Sequence, residues 1–249
     1  MSTKFVDISK VKVKRTIKEN VYDMVVNKHY AGRWTGSTDI FGVYYETGEH
    51  SFFEGKDNKL IGVVLYGHTV ARNGVKSISE TLENKEVLEL KRLWVEDGYG
   101  SNIESYVIAQ SLKRIKNDKP EVKVIISYAD PCENHTGIIY KATNWKYQGT
   151  KVSHAGKMYQ YSFDGDKWLS PRALQAKIGV CGLKDVLKVY PDIQYKLIEQ
   201  KHRYLYFVCN RKDKKKLIKE LKHPLVDYHH HDEDEMTPVV EKKYWELNG

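Results

Sequence analysis

No stretch of this sequence reaches the roughly 20 consecutive apolar residues that a membrane-spanning helix needs, and the opening MSTKFVDISKVKVKR has no signal-peptide core. Neither membrane insertion nor secretion is expected. Cysteine is scarce: Cys132, Cys181 and Cys209 are the only three, widely spaced and odd in number. They form neither a disulfide framework nor a zinc-ligand spacing, which points to a reducing cytosol.

Positive charge is what the chain has in excess. Forty-one Lys and Arg stand against 33 Asp and Glu, a formal net charge of +8, which favours an anionic partner such as nucleic acid. The excess lies between Asp164 and Lys222, where fifteen Lys and Arg face seven acids. The run RKDKKKLIKELK from Arg211 reads as an amphipathic basic helix. Its Arg211, Lys212, Lys214, Lys215 and Lys216 fit phosphate contacts, or equally a solvated helix face. In the adjoining KHRYLYFVCN, Tyr204 or Tyr206 could stack on bases or simply fill a core. With 41% apolar and 12% aromatic residues in 249, the chain is expected to pack rather than stay disordered.

Periodicity gives a coarse layout. A helix is predicted over Thr16–Lys28, with Ile17, Val21, Met24 and Val25 at helical spacing. Strands are expected near Asp39–Glu46 and Lys59–Tyr66, then Val87–Val95, the helix Asn102–Lys116, the strand Val122–Tyr128 and a short helix near Gly137–Thr143. Lys146–Ser153 and Lys157–Phe163 read as a closing pair of strands. The expected organisation is a core over 1–163, a basic α+β extension over 164–226 packed on it, and an acidic tail over 227–249 with His229–His231.

The segment from Val87 to Gly149 carries the chemistry. Strand ends and helix starts of an α/β unit open onto one sheet edge, so Arg92, Ser105, Asp130 and Tyr140 can meet there although far apart in sequence. Simple alternation places Arg92 on one face with Leu88, Leu90 and Trp94. A guanidinium in such surroundings needs an anionic or carbonyl partner: a buried salt bridge with Asp130, or a substrate. Ser101 and Glu104 have the spacing of a capping box at the next helix, with Ser105 in its first turn. Asp130, between a buried strand and Pro131, is either a turn cap or a catalytic base.

The segments LKRLWVED, NIES, SYADP, HTGIIYKATNW and YQG, with the earlier His29-Tyr30 pair and Phe41-Gly42-Val43, together resemble the Mom family of phage DNA-modification proteins. The resemblance is strong over Val11 to Gly149 and looser through KHRYLYFVCN and the basic helix. It implies an α/β, GNAT-like fold, a curved mixed β-sheet flanked by helices. It also implies conversion of adenine N6 in DNA to carbamoylmethyl adenine, which shields DNA from host restriction. Matched motif by motif, the family's functional positions fall on Arg92, Ser105, Asp130, Tyr140, His29 and Tyr30. Double-stranded DNA would be the partner, the cytoplasm of an infected bacterium the compartment, and a homodimer is compatible with it.

The resemblance leaves the cofactor open. GNAT enzymes hold acetyl-CoA pyrophosphate on an R/Q-x-x-G-x-G/A turn, whereas the turn here reads EDGYGSN. Two acids there, and a capping box on the helix amides, count against acetyl-CoA. His29 with Asp130 offers ligands that suit iron, although no H-x-D or H-x-x-x-H spacing supports it locally. Two other readings stand beside this one: a GNAT-like N-acyltransferase acting on a protein or small amine, and a non-catalytic DNA-binding protein.

Overall fold

The computed structural model describes residues 7–51, 55–69, 73–100, 102–131, 135, 137–150, 158–198, 200–227 and 241–242. Cys132, Ser101 and the His229–His231 run lie outside them. Its strands are β1 (Val11–Arg15), β2 (Asp39–Ser51), β3 (Gly55–Gly67), β4 (Val87–Val95), β5 (Val124–Ala129), β6 (Lys146–Tyr147), β7 (Met158–Ser162), β8 (Gln194–Ile198), β9 (His202–Phe207) and β10 (Glu241–Lys242). The helices are α1 (Lys18–Asp23), α2 (Ile103–Asp118), α3 (Ile138–Ala142), α4 (Pro171–Ile178), α5 (Leu183–Val189) and α6 (Arg211–Lys219).

The chain forms two compact units. The first comprises Met1–Tyr128, Gly137–Gln148 and Arg203–Val226, the second Ala129–Thr136, Gly149–His202 and Asp227–Gly249. A seven-stranded sheet in the order β1-β2-β3-β4-β5-β9-β6 builds the first. Strands β1 to β4 are antiparallel neighbours, whereas β5 runs parallel to β4. This is the expected α/β architecture, a mixed sheet with flanking helices. Val21 and Val25 pack on Val63 and Leu65. Elsewhere Val87, Val124, Ile126, Leu205 and Phe207 bury against Val75, Ile78 and Leu82, with Leu217 of α6 joining them. The basic helix is thus seated by one apolar residue on a hydrophobic cluster of the first unit.

Three sequence expectations change in the structure. VKVKR, not assigned above, is β1, because Val11 and Val13 alternate into the core. The predicted helix from Thr16 stops early as regular α-helix: residues Met24–Lys28 form a π turn, closed by the His29 amide donating to the Met24 carbonyl at 2.9 Å. The two strands expected to pair after Lys146 separate. Lys146–Tyr147 pairs with Leu205 and Tyr204, while Met158–Ser162 pairs with β8. Aromatic burial explains the first choice: the Tyr147 ring lies 5.1 Å from that of Tyr204, beside the fully buried Trp145.

In the second unit β7, β8 and β10 make a three-stranded sheet. Tyr161 and Tyr195 pack there with Leu174 of α4, Val186 of α5 and Ile193. Ser170 caps α4 ahead of Pro171, its hydroxyl accepting from the Ala173 amide.

Candidate functional site at the splayed strands β4 and β5

Strand β4 does not alternate as a regular strand would. Leu65 of β3 faces Arg92, but the next residue, Tyr66, faces Leu90, so Lys91 has no partner across the ladder. This β-bulge switches the faces. Arg92 and Trp94 therefore share a face with Leu65 and Val63, and not with Leu88 and Leu90 as simple alternation predicts. The displaced Lys91 reaches the Gly36 carbonyl at 2.6 Å.

Nothing in sequence marks that extra residue, yet it decides where the arginine points. Arg92 Nη1 donates to the Lys91 carbonyl at 2.6 Å, while its Nε is buried without a hydrogen-bond partner. Burial pushes the guanidinium below its usual range; Tyr30 opposes that shift and the like charge of Arg33 adds to it. A desolvated cation with an unsatisfied donor is the arrangement a ligand carboxylate, phosphate or carbonyl would complete. Asp130, considered above as its partner, accepts from Lys201 Nζ at 2.6 Å within the second unit.

On the opposite sheet face lies a second polar cluster. Strands β4 and β5 pair only from Val87 to Glu89, opposite Val124 to Ile126, and a side chain continues the connection beyond. Ser127 Oγ donates to the Leu90 carbonyl at 3.2 Å and lies 2.8 Å from Tyr140 Oη. With the serine proton committed to the carbonyl, Tyr140 is the donor in the second bond. Burial pushes its phenol up to about 12, against the Ser127 hydrogen bond and with Tyr30 adding. Tyr140 is thus a neutral, fixed donor at physiological pH. Its ring stacks on Tyr204 at 4.6 Å and meets Trp145 edge-on at 5.1 Å. Gly137 opens the helix at φ +75°, and a side chain there would collide with the Tyr204 hydroxyl. Tyr204 is accordingly core, whereas Tyr206 packs on Trp145 and lines a cavity.

His29 and Tyr30 emerge from the π turn, a rare irregularity that frequently occurs at functional sites. His29 is buried, its Nδ1 accepting from the Ala31 amide at 3.0 Å. Tyr30 stacks on it at 4.4 Å and leaves 51% of its own surface exposed. Electrostatically Tyr30 couples to both Arg92 and Tyr140.

Ser105 occupies the first turn of α2 and lines a cavity of about 390 Å³ with Tyr106, Thr143, Asn144 and Tyr206. The N-cap of α2 is Asn102, whose side chain makes no capping bond. The helix start is thus one residue beyond the predicted capping box, and Ser101 is outside the described residues. Gly98 and Gly100 have φ of +92° and +106°, with open space where a side chain would be. Among the described residues, no three His, Cys, Asp or Glu side chains gather as metal ligands, and Cys181 and Cys209 are free thiols.

On α6, Arg211, Lys212, Lys215 and Lys216 are exposed, while Lys214 leans over the Phe207 ring at 5.5 Å. Asn210 caps this helix, accepting from the Asp213 amide. Arg203, counted above with the basic excess, is buried: its guanidinium donates to the hydroxyl and carbonyl of Ser77. It belongs to the interior rather than to a phosphate-gripping surface. Sequence reasoning missed Ser127 and Arg33 as site residues, although SYADP and HYAGRW contain them.

Comparison with known proteins resolves the lineage. The model of the Mom protein family matches residues 10–228, most of the chain. The protein belongs to the Mom family. A curated relative, the methylcarbamoylase mom of Escherichia phage Mu, is 29% identical over 143 residues, covering 57% of this chain and 53% of the relative. The match spans about half of that relative's length.

Among solved structures, similarity extends to Arabidopsis thaliana NAA60 in complex with acetyl-CoA, at 10% identity, with 79% of this chain and 99% of that one covered and a TM-score of 0.46. An N-acetyltransferase from Staphylococcus aureus Mu50 covers 80% of this chain and 99% of its own at 11% identity and a TM-score of 0.40. At these scores the likeness says nothing about cofactor or chemistry. No helix among the described residues of this Mom-family chain is long and apolar enough to cross a membrane.

Proposed function

We propose that this protein modifies DNA, converting the exocyclic N6 amine of adenine to a carbamoylmethyl amine. The observation that carries the reading is the Ser127–Tyr140 pair at the strand splay, beside the β4 bulge that turns Arg92, in a chain of the Mom family. The N6 lone pair is delocalised into the purine ring, so the amine needs positioning and proton removal. A base reaches such a site only when it leaves the duplex stack. The exposed Tyr30 ring, backed by His29, gives it a flat surface to rest on.

Each group then has a role. The half-buried Arg92 guanidinium meets the anionic or carbonyl oxygen of the donor as charge develops there. Tyr140, held by Ser127, orients without exchanging its proton. As N6 attacks the methylene carbon of a carrier-bound carbamoylmethyl group, the bond from that carbon to the carrier breaks and its electron pair leaves on the carrier. The N6 proton goes to a carboxylate base, the role the family motif gives Asp130, which Lys201 pairs. Ser105 contributes the wall of the cavity between α2 and α3, a place for the body of a donor whose identity the residues leave open. The exposed cations Arg211, Lys212, Lys215 and Lys216 of α6, with Lys214 beside them, hold phosphates without reading sequence.

Mass spectrometry of nucleosides from plasmid DNA tests the reading, after expression of the protein in a bacterial host. A deoxyadenosine heavier by one carbamoylmethyl group in place of hydrogen is expected. It should be absent when Asp130→Asn replaces the wild-type protein at equal soluble yield. Unmodified DNA from folded wild-type protein, supplemented with phage-infected extract, would sink the proposal. Thermal stabilisation by acetyl-CoA with none by DNA would instead favour an acyltransferase of amines.

A further inference from the structure

Outside the constellation just described, the surface of α1 carries an unusual pairing of aromatic rings with cations. Tyr22, 44% exposed, stacks on Trp34 with centroids 5.8 Å apart and planes 28° from parallel. Lys18 Nζ lies over both rings, at 5.3 Å and 5.4 Å. Trp34 is anchored on the cluster of Val21, Val25, Val63 and Leu65, which also receives Trp94. Lys28 Nζ lies 5.2 Å from the Trp94 ring centroid. Trp94 and Arg92 share one face of β4, so the row runs from Tyr22 and Trp34 through Trp94 to Arg92.

Core packing accounts for the inner rings of this row but not for its outer end. A tyrosine that merely covered Val21 and Val25 would bury its own ring, and Tyr22 does not. The chemistry of the face selects a ligand. Lys18 Nζ, more than 5 Å from either ring centroid, sets a positive charge beside the pair, which repels a second cation and disfavours a methylated amine or an arginine-rich peptide. Neutral flat π systems tethered to anions suit it instead: rings for stacking, and Lys18, Lys28 and Arg33, all exposed, for the phosphates.

The geometry points to the Lys18–Tyr22–Trp34 face as a second DNA contact of this protein, on which an unpaired base of the substrate strand stacks while the target adenine rests on Tyr30. This rests on DNA being the substrate. The contact is separate from the α6 lysines, which meet backbone alone and cannot tell an unpaired base from a paired one. A duplex opened at the target would thereby be held open rather than released.

Fluorescence anisotropy with the full chain tests it, using two labelled duplexes of one sequence, fully paired or with a single adenine opposite an abasic site. Tyr22→Ala is expected to weaken binding to the abasic duplex about tenfold, within the range of one lost base stack, and to leave the paired duplex within about twofold. Tyr22→Phe should behave as wild type, since it keeps the ring. Lys18→Gln should lower the slope of log affinity against log salt by about one on the abasic duplex. Equal effects of Tyr22→Ala on both duplexes, or none on either, would overturn the stacking face, provided its unfolding temperature matches wild type. Wild-type protein that binds neither duplex would remove the DNA reading itself, a different result from wild-type binding that ignores Tyr22.

Discussion

Two charges in the same sheet, one buried and one half-buried, have opposite surroundings. Asp39, at the start of β2, is fully buried yet fully answered: Arg15 donates at 3.0 Å, Lys119 pairs at 3.0 Å and the Thr38 hydroxyl donates at 2.7 Å. Arg92, on β4, has one backbone carbonyl and an Nε with nothing to meet. The first arrangement ties β1, β2 and the end of α2 together, since Arg15 also bonds Asp118. The second leaves a charged donor desolvated and unfinished. A satisfied buried charge holds a fold together, whereas an unsatisfied donor costs stability.

The contrast is sharpest at Arg92. Arg92→Ala should reduce DNA modification at least about a hundredfold, the range for losing one preorganised donor to developing charge. Urea unfolding should at the same time show only a small loss of stability, because the one partner left behind is the Lys91 carbonyl. An inactive variant that is also markedly less stable would make Arg92 structural and collapse the comparison.

Asp39→Asn should do the reverse. A loss of about 2 kcal/mol is expected, below that of a wholly buried pair because Arg15 and Lys119 stay partly solvated, with modification intact below the melting temperature. Burial alone would raise the Asp39 carboxyl, but hydrogen bonds from Thr38, Lys119 and Arg15 outweigh it and hold it below its ordinary value. Its contribution is therefore full above the ordinary aspartate range and is lost as pH falls through the depressed folded value. Acid unfolding of the wild type should show that limb, and Asp39→Asn should lack it.

Tyr140→Phe should give the smallest effect, about 1 kcal/mol for one buried hydrogen bond, with a modest fall in modification. Because burial raises the phenol to about 12, the folded state holds this proton longer than the unfolded one. The stabilising contribution is complete below the ordinary tyrosine value of about 10 and is lost as pH rises from there through the folded value. Tyr66 and Tyr161 are raised in the same direction, so the wild-type-minus-Tyr140→Phe difference isolates this limb by alkaline denaturation. No difference between the two would mean that the Ser127 bond does not fix the phenol.

Much of the fold is legible in the sequence. The turn holding Asp130 after β5 and the short helix holding Tyr140 follow from chain-reversal signals behind buried runs, and the basic helix from its charge spacing. What stayed hidden shares one cause: it depends on partners distant in sequence. Periodicity gave Lys146–Ser153 a strand, but Tyr204 decided which residues pair and with what. Ser127 looked like an ordinary strand residue until the parting of β4 and β5 gave it a carbonyl to bridge. Arg203 looked like surface charge, although β9 buries it between neighbours.

Sequence by itself determined the α/β order of elements, the family and the residue types available for chemistry, because these follow from local periodicity and motif spacing. Tertiary structure decided which face each group serves. One unpaired residue in β4 turns Arg92 away from Leu88 and Leu90, and one π turn ends at His29 and stacks Tyr30 on it. Both irregularities shift side chains by a single position. Strand and helix periods fix direction only while hydrogen-bond registry is unbroken, and the register of β4 is set by β3, not by β4's own residues.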